Sequence, residues 1–357
     1  MQALQIFAGP TAFKHLSANG LQPADIGVVP GAAGGPKGLI LGPLDRFIFG
    51  NWLGKASHEV HLVGASIGAW RMATACLNDP ASGFKQLEHD YIRQTYALKP
   101  GEKFPSADTV SADFGRNLAS FYAGRVADVL GHPRYRLHIV TSRGRHMLGR
   151  EHKIATPLGY LGAYLSNGIA RKAMGAWLER VVFSTAGSSL PFAIDDYPTR
   201  QVTLSLDNFN PALQASCSIP FMLRAVTGIA GAPSGAYWDG GITDYHLHLN
   251  YPAASQKLVL YPHFQKSVIP GWLDKSLKWR HKATPFLSST VLLAPNPEWI
   301  KTLPNGKLPD RGDFAHYGTD LQARIKAWSQ AASASEQLAD EWQQWLGRPD
   351  MRAVEQL

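Results

Sequence analysis

Residues 60–68 have the sequence Val60-His-Leu-Val63-Gly64-Ala-Ser66-Ile-Gly68, in which a short apolar run leads directly into a serine flanked by glycines. The apolar run predicts a buried strand, and residues 69–77 predict a helix that ends at Asn78-Asp-Pro80. A G-x-S-x-G pattern between a strand and a helix is typical of a nucleophile elbow, where the helix N-terminus favours developing negative charge. The alternative is a serine that only caps the helix. The pattern makes Ser66 a candidate nucleophile.

Short apolar runs alternate with helix-like stretches along most of the chain. Strands are predicted at residues 26–29, 60–63, 137–141, 202–206 and 257–261, and helices at residues 39–52, 69–77, 120–130 and 170–178. This alternation favours a mostly parallel sheet that is covered on both faces. Near the C-terminus, helical spacing of apolar residues predicts one long or two consecutive amphipathic helices, on the basis of Leu321, Ile325, Trp328, Ala332, Leu338, Trp342 and Trp345.

The composition excludes several classes of protein. Of the 357 residues, 45% are hydrophobic and 17% are charged, which argues against disorder. Two cysteines, Cys76 and Cys217, are too few for a disulfide framework or a four-thiolate metal site. Because no apolar run is long enough to span a bilayer and no signal-peptide pattern is present, we expect a cytoplasmic protein. The net charge of +8 favours anionic partners such as phospholipid headgroups, nucleic acid or acidic substrates.

A glycine-rich loop, Gly31-Ala-Ala-Gly34-Gly35-Pro36-Lys37-Gly38, follows the first predicted strand. A nucleotide-binding P-loop would need glycine in place of Pro36 and a hydroxyl residue in place of Gly38, so that interpretation is disfavoured. Backbone N–H groups of such a loop can instead point at the oxyanion formed in acyl transfer. Because Pro36 has no N–H, the donors would be Gly34, Gly35 or Lys37. A tight connection without a ligand is the alternative.

The segment Trp238-Asp239-Gly240-Gly241 supplies a candidate base, 173 residues after the serine (239 − 66). An aspartate followed by two glycines is first of all a turn signature. Thirteen histidines leave a Ser-His-Asp triad open, but no spacing selects one of them.

The order of these elements resembles the patatin-like phospholipase family. A Gly-Gly-x-Lys/Arg-Gly loop, a G-x-S-x-G motif, an Ala-Ser-x-Ser-x-Pro stretch and an Asp-Gly-Gly motif follow one another between residues 31 and 241. The resemblance implies a three-layer α/β/α fold in residues 1–300, with residues 301–357 as a helical C-terminal extension packed on it. It also implies a cofactor-independent serine hydrolase that cleaves lipid acyl esters through an acyl-enzyme. The implied roles are catalytic for Ser66 and Asp239, oxyanion binding for Gly34, Gly35, Lys37 and the Ile67 N–H, and elbow formation for Gly64 and Gly68.

The substrate is less well defined by the resemblance. Lysine replaces the arginine that is common in the family's loop, and residues 242–250 and the last hundred residues match poorly. These parts are expected to select the substrate, which we expect to be a hydrophobic acyl ester or a phospholipid. The enzyme would act as an acyltransferase if an alcohol outcompetes water.

Two functions of other classes remain open. One is a non-catalytic membrane-binding or scaffold protein on the same fold. The other is a metal-dependent hydrolase: in an extended segment His246 and His248 would point to the same side, and His263 or Asp244 could supply a third ligand.

Residues 270–282 mix aromatic and basic side chains. Such a segment could contact an anionic membrane or a lipid body, but an amphipathic helix more often packs its apolar side on the core, as we expect here. No nucleic-acid-binding motif accompanies it. The residues concerned are Trp272, Leu273, Leu277 and Trp279, with Lys275, Lys278, Arg280 and Lys282.

Overall fold

The computed structural model describes residues 1–96, 105–252 and 255–357. The strands are β1 Leu4–Ala8, β2 Ile26–Gly31, β3 Val60–Ala65, β4 Tyr135–Gly144, β5 Leu178–Ser184, β6 Thr199–Thr203, β7 Tyr237–Asp239, β8 Leu258–Pro262, β9 Thr290–Pro295 and β10 Val354–Gln356. The α-helices are α1 Pro10–Asn19, α2 Gly42–Phe47, α3 Ile67–Ala75, α4 Pro80–Arg93, α5 Ala107–Phe121, α6 Val126–Leu130, α7 Ala155–Ile169, α8 Phe209–Cys217, α9 Gly241–Asp244, α10 Pro297–Ile300, α11 Gly312–Tyr317, α12 Leu321–Ala334 and α13 Glu336–Gly347.

The strands form one sheet in the order β10-β1-β9-β8-β2-β3-β4-β5-β6, and β7 pairs with β4 off this path. The pairs are mostly parallel, and the antiparallel ones are β1 with β9, β4 with β5, and β4 with β7. Helices flank the sheet, so the predicted α/β fold with a mostly parallel central sheet is confirmed. Within the described ranges, no helix is both long and apolar enough to cross a bilayer.

Three predicted elements differ from the structure. The helix predicted at residues 39–52 is divided into the 3₁₀ helix Gly35–Leu41, α2 and the π-helical turn Ile48–Trp52, because Pro43 begins a new helix. The helix predicted at 120–130 is the end of α5 followed by α6, separated near Gly124, whose φ is 71°. The helix predicted at 170–178 is a 3₁₀ helix, Arg171–Ala176, that leads into β5.

The C-terminal segment joins both a helical layer and the sheet. The predicted amphipathic region is two consecutive helices, α12 and α13. Glu341 in α13 accepts hydrogen bonds from the backbone N–H groups of Ala3 and Leu4, and β10 pairs in parallel with β1. The segment therefore covers the edge of the sheet that the N-terminal strand forms. The boundary predicted at residue 300, between an α/β domain and a C-terminal extension, stays a prediction.

The register of β4 brings two distant parts of the chain together. Val140 in β4 pairs with Ala65 at the end of β3, and the next residue, Thr141, pairs with Asp239 at the end of β7. Strand β7 thus occupies the side of β4 that β3 leaves when the chain turns at Ser66. Ser66, which follows β3, and Asp239, which ends β7, must consequently be neighbours.

A buried ion pair fixes helix α3, which starts next to Ser66. Arg71 in α3 donates to both carboxylate oxygens of Asp45 in α2, through Nε at 2.6 Å and Nη2 at 2.7 Å. Both side chains are almost fully buried. Removing one partner of such a pair leaves the other charge buried and unpaired, which is costly.

We therefore expect Asp45→Asn to lower the free energy of unfolding by about 3–5 kcal/mol, measured by chemical denaturation. The double variant Asp45→Leu/Arg71→Met removes both charges and should recover much of that loss. As a control, Glu298→Gln breaks an exposed pair with Lys301 and should cost less than about 1 kcal/mol. An equal effect of Asp45→Asn and Glu298→Gln would contradict the interpretation.

Candidate active site

Ser66 lies at a strained turn between β3 and α3. Its backbone has φ 56° and ψ −130°, a conformation that costs energy for any residue with a side chain and that clusters at functional sites. The flanking glycines are required by close packing: a Cβ at Gly68 would lie 1.8 Å from the carbonyl oxygen of Gly31, and one at Gly64 would lie 2.4 Å from the Cα of Ala69. The turn therefore has the geometry that the sequence predicted for a nucleophile elbow.

The Ser66 hydroxyl is in direct contact with Asp239. Ser66 Oγ donates a hydrogen bond of 2.7 Å to Asp239 Oδ2, and both residues are only 4% exposed. The other carboxylate oxygen, Oδ1, accepts the backbone N–H of Gly241 at 2.7 Å. This second bond fixes the carboxylate plane, so that Oδ2 is held toward the hydroxyl.

The end of helix α8 braces both members of the pair. Ser216 Oγ accepts the backbone N–H of Ser66 at 3.0 Å and donates to the carbonyl of Val140 at 2.7 Å. The backbone N–H of Asp239 donates to the carbonyl of Ser218 at 2.8 Å. The Ala215-Ser-Cys-Ser stretch that contributed to the family resemblance is thus the link that connects the serine turn to β7.

Two helix N-termini line the same cavity as Ser66. Ile67 is the first residue of α3, and Gly35, with φ 57°, begins the 3₁₀ helix that follows the glycine loop. The first N–H groups of a helix have no intrahelical acceptor and can bind an anion. Gly34 precedes this turn, and a Cβ there would lie 2.5 Å from the ring of Phe264. The predicted donors Gly35 and Ile67 therefore line the same cavity as the serine, and Gly34 directly precedes Gly35.

Lys37 is not among the residues that line this cavity, and its Nζ lies 5.3 Å from the ring centroid of Phe264. Only its backbone N–H, in the first turn of the 3₁₀ helix, remains a candidate donor. A positive charge in the cavity comes from another part of the chain.

Arg311 places a positive charge in the cavity, beside the glycine loop. Its Nε lies 3.2 Å from the position that a Cβ of Gly35 would occupy, and Tyr91 Oη lies 3.7 Å from the same point. Among the described residues, no side chain forms a hydrogen bond or ion pair with the Arg311 guanidinium. Sequence reasoning missed this residue, because no motif links it to a serine 245 positions earlier (311 − 66).

The charge balance around Asp239 sets its basicity. Burial raises the pKa of Asp239 above its ordinary value, and the Arg311 charge, the Ser66 hydroxyl and the Gly241 N–H oppose that rise. A higher pKa makes the carboxylate a better acceptor of the serine proton. The Arg311 charge favours the ionised carboxylate.

The cavity has a volume of about 900 Å³ and a mostly apolar lining. Its walls include Trp70, Val110, Phe114, Ile219 and Phe314, which are suited to a hydrocarbon chain. Cys217 also lines it, but burial raises the pKa of its thiol well above the ordinary value. The thiol is therefore protonated and a poor nucleophile at neutral pH.

The histidines proposed as metal ligands are held by separate partners. Leu247 has φ 48°, so the segment is not extended as expected and His246 and His248 do not form a same-side pair. His246 Nδ1 bonds the backbone of the 267–269 segment, and His248 Nε2 bonds Thr284 Oγ1. Asp244 is paired with Arg180. In the parts of the chain that the structure describes, no three His, Cys, Asp or Glu side chains are grouped as metal ligands.

Residues 270–282 form two short 3₁₀ helices, Trp272–Asp274 and Lys278–His281, in place of one amphipathic helix. Trp272 packs on the core as expected. Trp279 is 64% exposed, so the expectation that the tryptophans are core residues was wrong for this one.

Compared with known protein-family models and with curated proteins, the sequence matches none. The likeness to patatin-like enzymes thus depends on the motifs and their order.

The effect of Arg311 on the pKa of Asp239 can be tested through the pH dependence of labelling at Ser66. If Asp239 accepts the Ser66 proton, the rate at which Ser66 reacts with a fluorophosphonate probe should fall as pH drops through the pKa of Asp239. Arg311→Gln removes a positive charge that lowers this pKa, so the acid limb of the rate profile should move to higher pH.

Arg324→Gln is the matched control, since Arg324 lines the same cavity but is not among the groups that shift the pKa of Asp239. Its acid limb should coincide with that of the wild type. An Arg311→Gln profile that is unmoved, or that moves to lower pH, would show that Arg311 does not act on the base.

Proposed function

We propose that this protein is a serine acyl-ester hydrolase that uses a Ser66–Asp239 dyad. The observation that carries the proposal is the 2.7 Å hydrogen bond between Ser66 Oγ and Asp239 Oδ2 at a buried strand–turn–helix corner. A bare serine hydroxyl is a weak nucleophile and needs an adjacent base. The Asp239 carboxylate accepts a hydrogen bond from this hydroxyl and is placed to act as that base.

The reaction would proceed in two steps. Ser66 Oγ attacks the ester carbonyl while its proton passes to Asp239, and the resulting oxyanion is stabilised by backbone N–H groups of the Gly35 loop and Ile67, with the Arg311 charge beside them. Collapse breaks the bond to the alcohol, which leaves with the proton from Asp239. Water then gives a proton to Asp239 and attacks the acyl-enzyme. The bond to Ser66 Oγ breaks, Asp239 returns the proton to that oxygen, and the acid is released. An alcohol in place of that water would make the reaction an acyl transfer.

The cavity favours a substrate with an apolar acyl chain. Its apolar walls would bind the chain, and the positive charge of Arg311, which has no ion-pair partner among the described residues, would favour a negative charge near the ester. A long-chain ester or a phospholipid has both features. These properties, with the motif order, support a lipid acyl hydrolase of the patatin-like type.

The non-catalytic alternative is the second candidate. A scaffold protein has no need for a strained serine held against a buried carboxylate, and both features would cost stability without use. A direct test of serine reactivity separates the two.

Wild-type protein should be labelled by a fluorophosphonate probe, and Ser66→Ala should not be labelled. Asp239→Asn keeps the shape of the side chain but removes the base, so its labelling rate should fall by at least about 100-fold. In-gel fluorescence over time measures both.

Cys217→Ala is the matched control, because it removes the other nucleophile of the cavity and should leave the labelling rate close to that of wild type. Labelling that survives in Ser66→Ala, or a wild-type protein that stays unlabelled both with and without lipid vesicles, would overturn the proposal.

A further inference from the structure

Helix α7 has an inverted distribution of side chains. A surface helix normally buries its apolar stripe, but the residues that α7 buries are Thr156, Gly159, Ala163 and Asn167. Apart from Tyr160, which packs inward on Trp238, its large apolar side chains face outward and are between 40% and 87% exposed. With the preceding residue they are Ile154, Leu158, Leu161, Tyr164, Leu165 and Ile169. These six account for nearly half of the large apolar side chains that are exposed in the described residues. We call this set the α7 face.

The buried side of α7 is firmly attached to the protein, so its outward side is not a consequence of loose packing. Asn167 Nδ2 donates to Asp274 Oδ1 at 2.8 Å, and Asp274 is fully buried. A Cβ at Gly159 would lie 2.7 Å from Leu148, and one at Gly162 would lie 2.5 Å from Trp177. The small residues let the helix approach closely and orient the apolar side chains outward.

The surroundings of the α7 face are cationic. Helix α7 itself contains no charged residue, and residues 152–178 contain Lys153, Arg171 and Lys172 but no acid. Lys153 and Lys172 are exposed and form no ion pair within the described part of the chain. Tyr164 Oη bonds Ser276 Oγ at 3.0 Å, which places the basic 270–282 segment, with exposed Trp279, against the same helix.

Helix α7 also contacts the mouth of the cavity that holds Ser66, through Tyr160 on its inner side. Phe221 lines that cavity, is 62% exposed, and has a strained φ of 70° that turns its ring outward. Its ring packs edge-on against Tyr160 of α7, with centroids 5.9 Å apart. A surface bound to the α7 face would therefore lie beside the cavity entrance.

We propose that the α7 face docks on an anionic phospholipid bilayer. An apolar helix face flanked by lysines has the chemistry of an interfacial helix, with side chains among the acyl chains and cations at the headgroups. A second copy of this chain is the less favourable occupant, because a symmetric contact would bring the lysines of both copies together without carboxylates to pair with them. The docking does not depend on the proposed hydrolysis, since binding can be measured without turnover.

The experiment is flotation with phosphatidylcholine vesicles, with and without phosphatidylglycerol. Wild type should float with the anionic vesicles and much less with phosphatidylcholine alone. Leu161→Glu/Leu165→Glu should weaken the anionic-vesicle binding by at least about tenfold, because it removes apolar contact and adds repulsive charge. Lys153→Gln/Lys172→Gln should weaken it by about fivefold for each lysine.

The matched control is Ile194→Glu/Leu206→Glu, which adds the same two charges at exposed apolar positions outside α7 and should bind as wild type does. Each variant should keep the circular dichroism spectrum and the thermal unfolding midpoint of wild type, which shows that it is folded. The inference is overturned if wild type does not float, if it floats equally with both vesicle types, or if the control loses as much binding as the α7 variant. It is also overturned if gel filtration shows a wild-type dimer that Leu161→Glu/Leu165→Glu dissociates.

Discussion

The pairing of β4 with two different strands along one edge is the constraint on which the site depends. Strand β3 pairs with β4 up to Val140, and β7 continues the same edge from Thr141. The chain must leave the sheet at Ser66 for β7 to take that place, and the sharp exit produces both the strained serine and the start of α3. Gly240 has no Cβ that would collide with the Val140 carbonyl, so the two strands can meet without a gap. The contact between the hydroxyl and the carboxylate follows from this register.

Electrostatic interactions then set the basicity of the Asp239 carboxylate, which the strand register places beside Ser66. A carboxylate is a weak base in water, and burial alone would favour its protonated form. The opposing positive charge comes from Arg311, which belongs to the C-terminal segment that also closes the sheet edge through β10. One segment thus contributes to the stability of the sheet and to the electrostatics of the cavity. This arrangement explains why the lysine in the glycine loop need not point at the serine.

The polar anchoring of α7 links the site to the outer surface. Asp274 receives hydrogen bonds or ion pairs from Asn167, Arg171 and Arg280, so a fully buried carboxylate ties α7 to the 270–282 segment. Small and polar side chains attach α7 to the rest of the protein, so most of its large apolar side chains face outward. The apolar cavity and helix α7 meet near Phe221. A molecule that enters from a lipid surface would pass from one to the other.

The sequence by itself determined the features that are encoded locally: the α/β alternation, the strand–turn–helix at Ser66, the glycine loop and an amphipathic helical region at the C-terminus, although not its division into two helices. It did not predict β5, because Glu179 and Arg180 interrupt the apolar run and are buried only through partners such as Arg143 and Asp244. Nor did it predict α7, whose glycines disfavour a helix by propensity but are required by packing. Only the tertiary structure decided that Asp239 contacts Ser66, that Arg311 places a positive charge in the cavity, and that His246 and His248 face different partners. These depend on strand register and on side-chain direction, which arise from contacts between residues far apart in the chain and leave no local pattern.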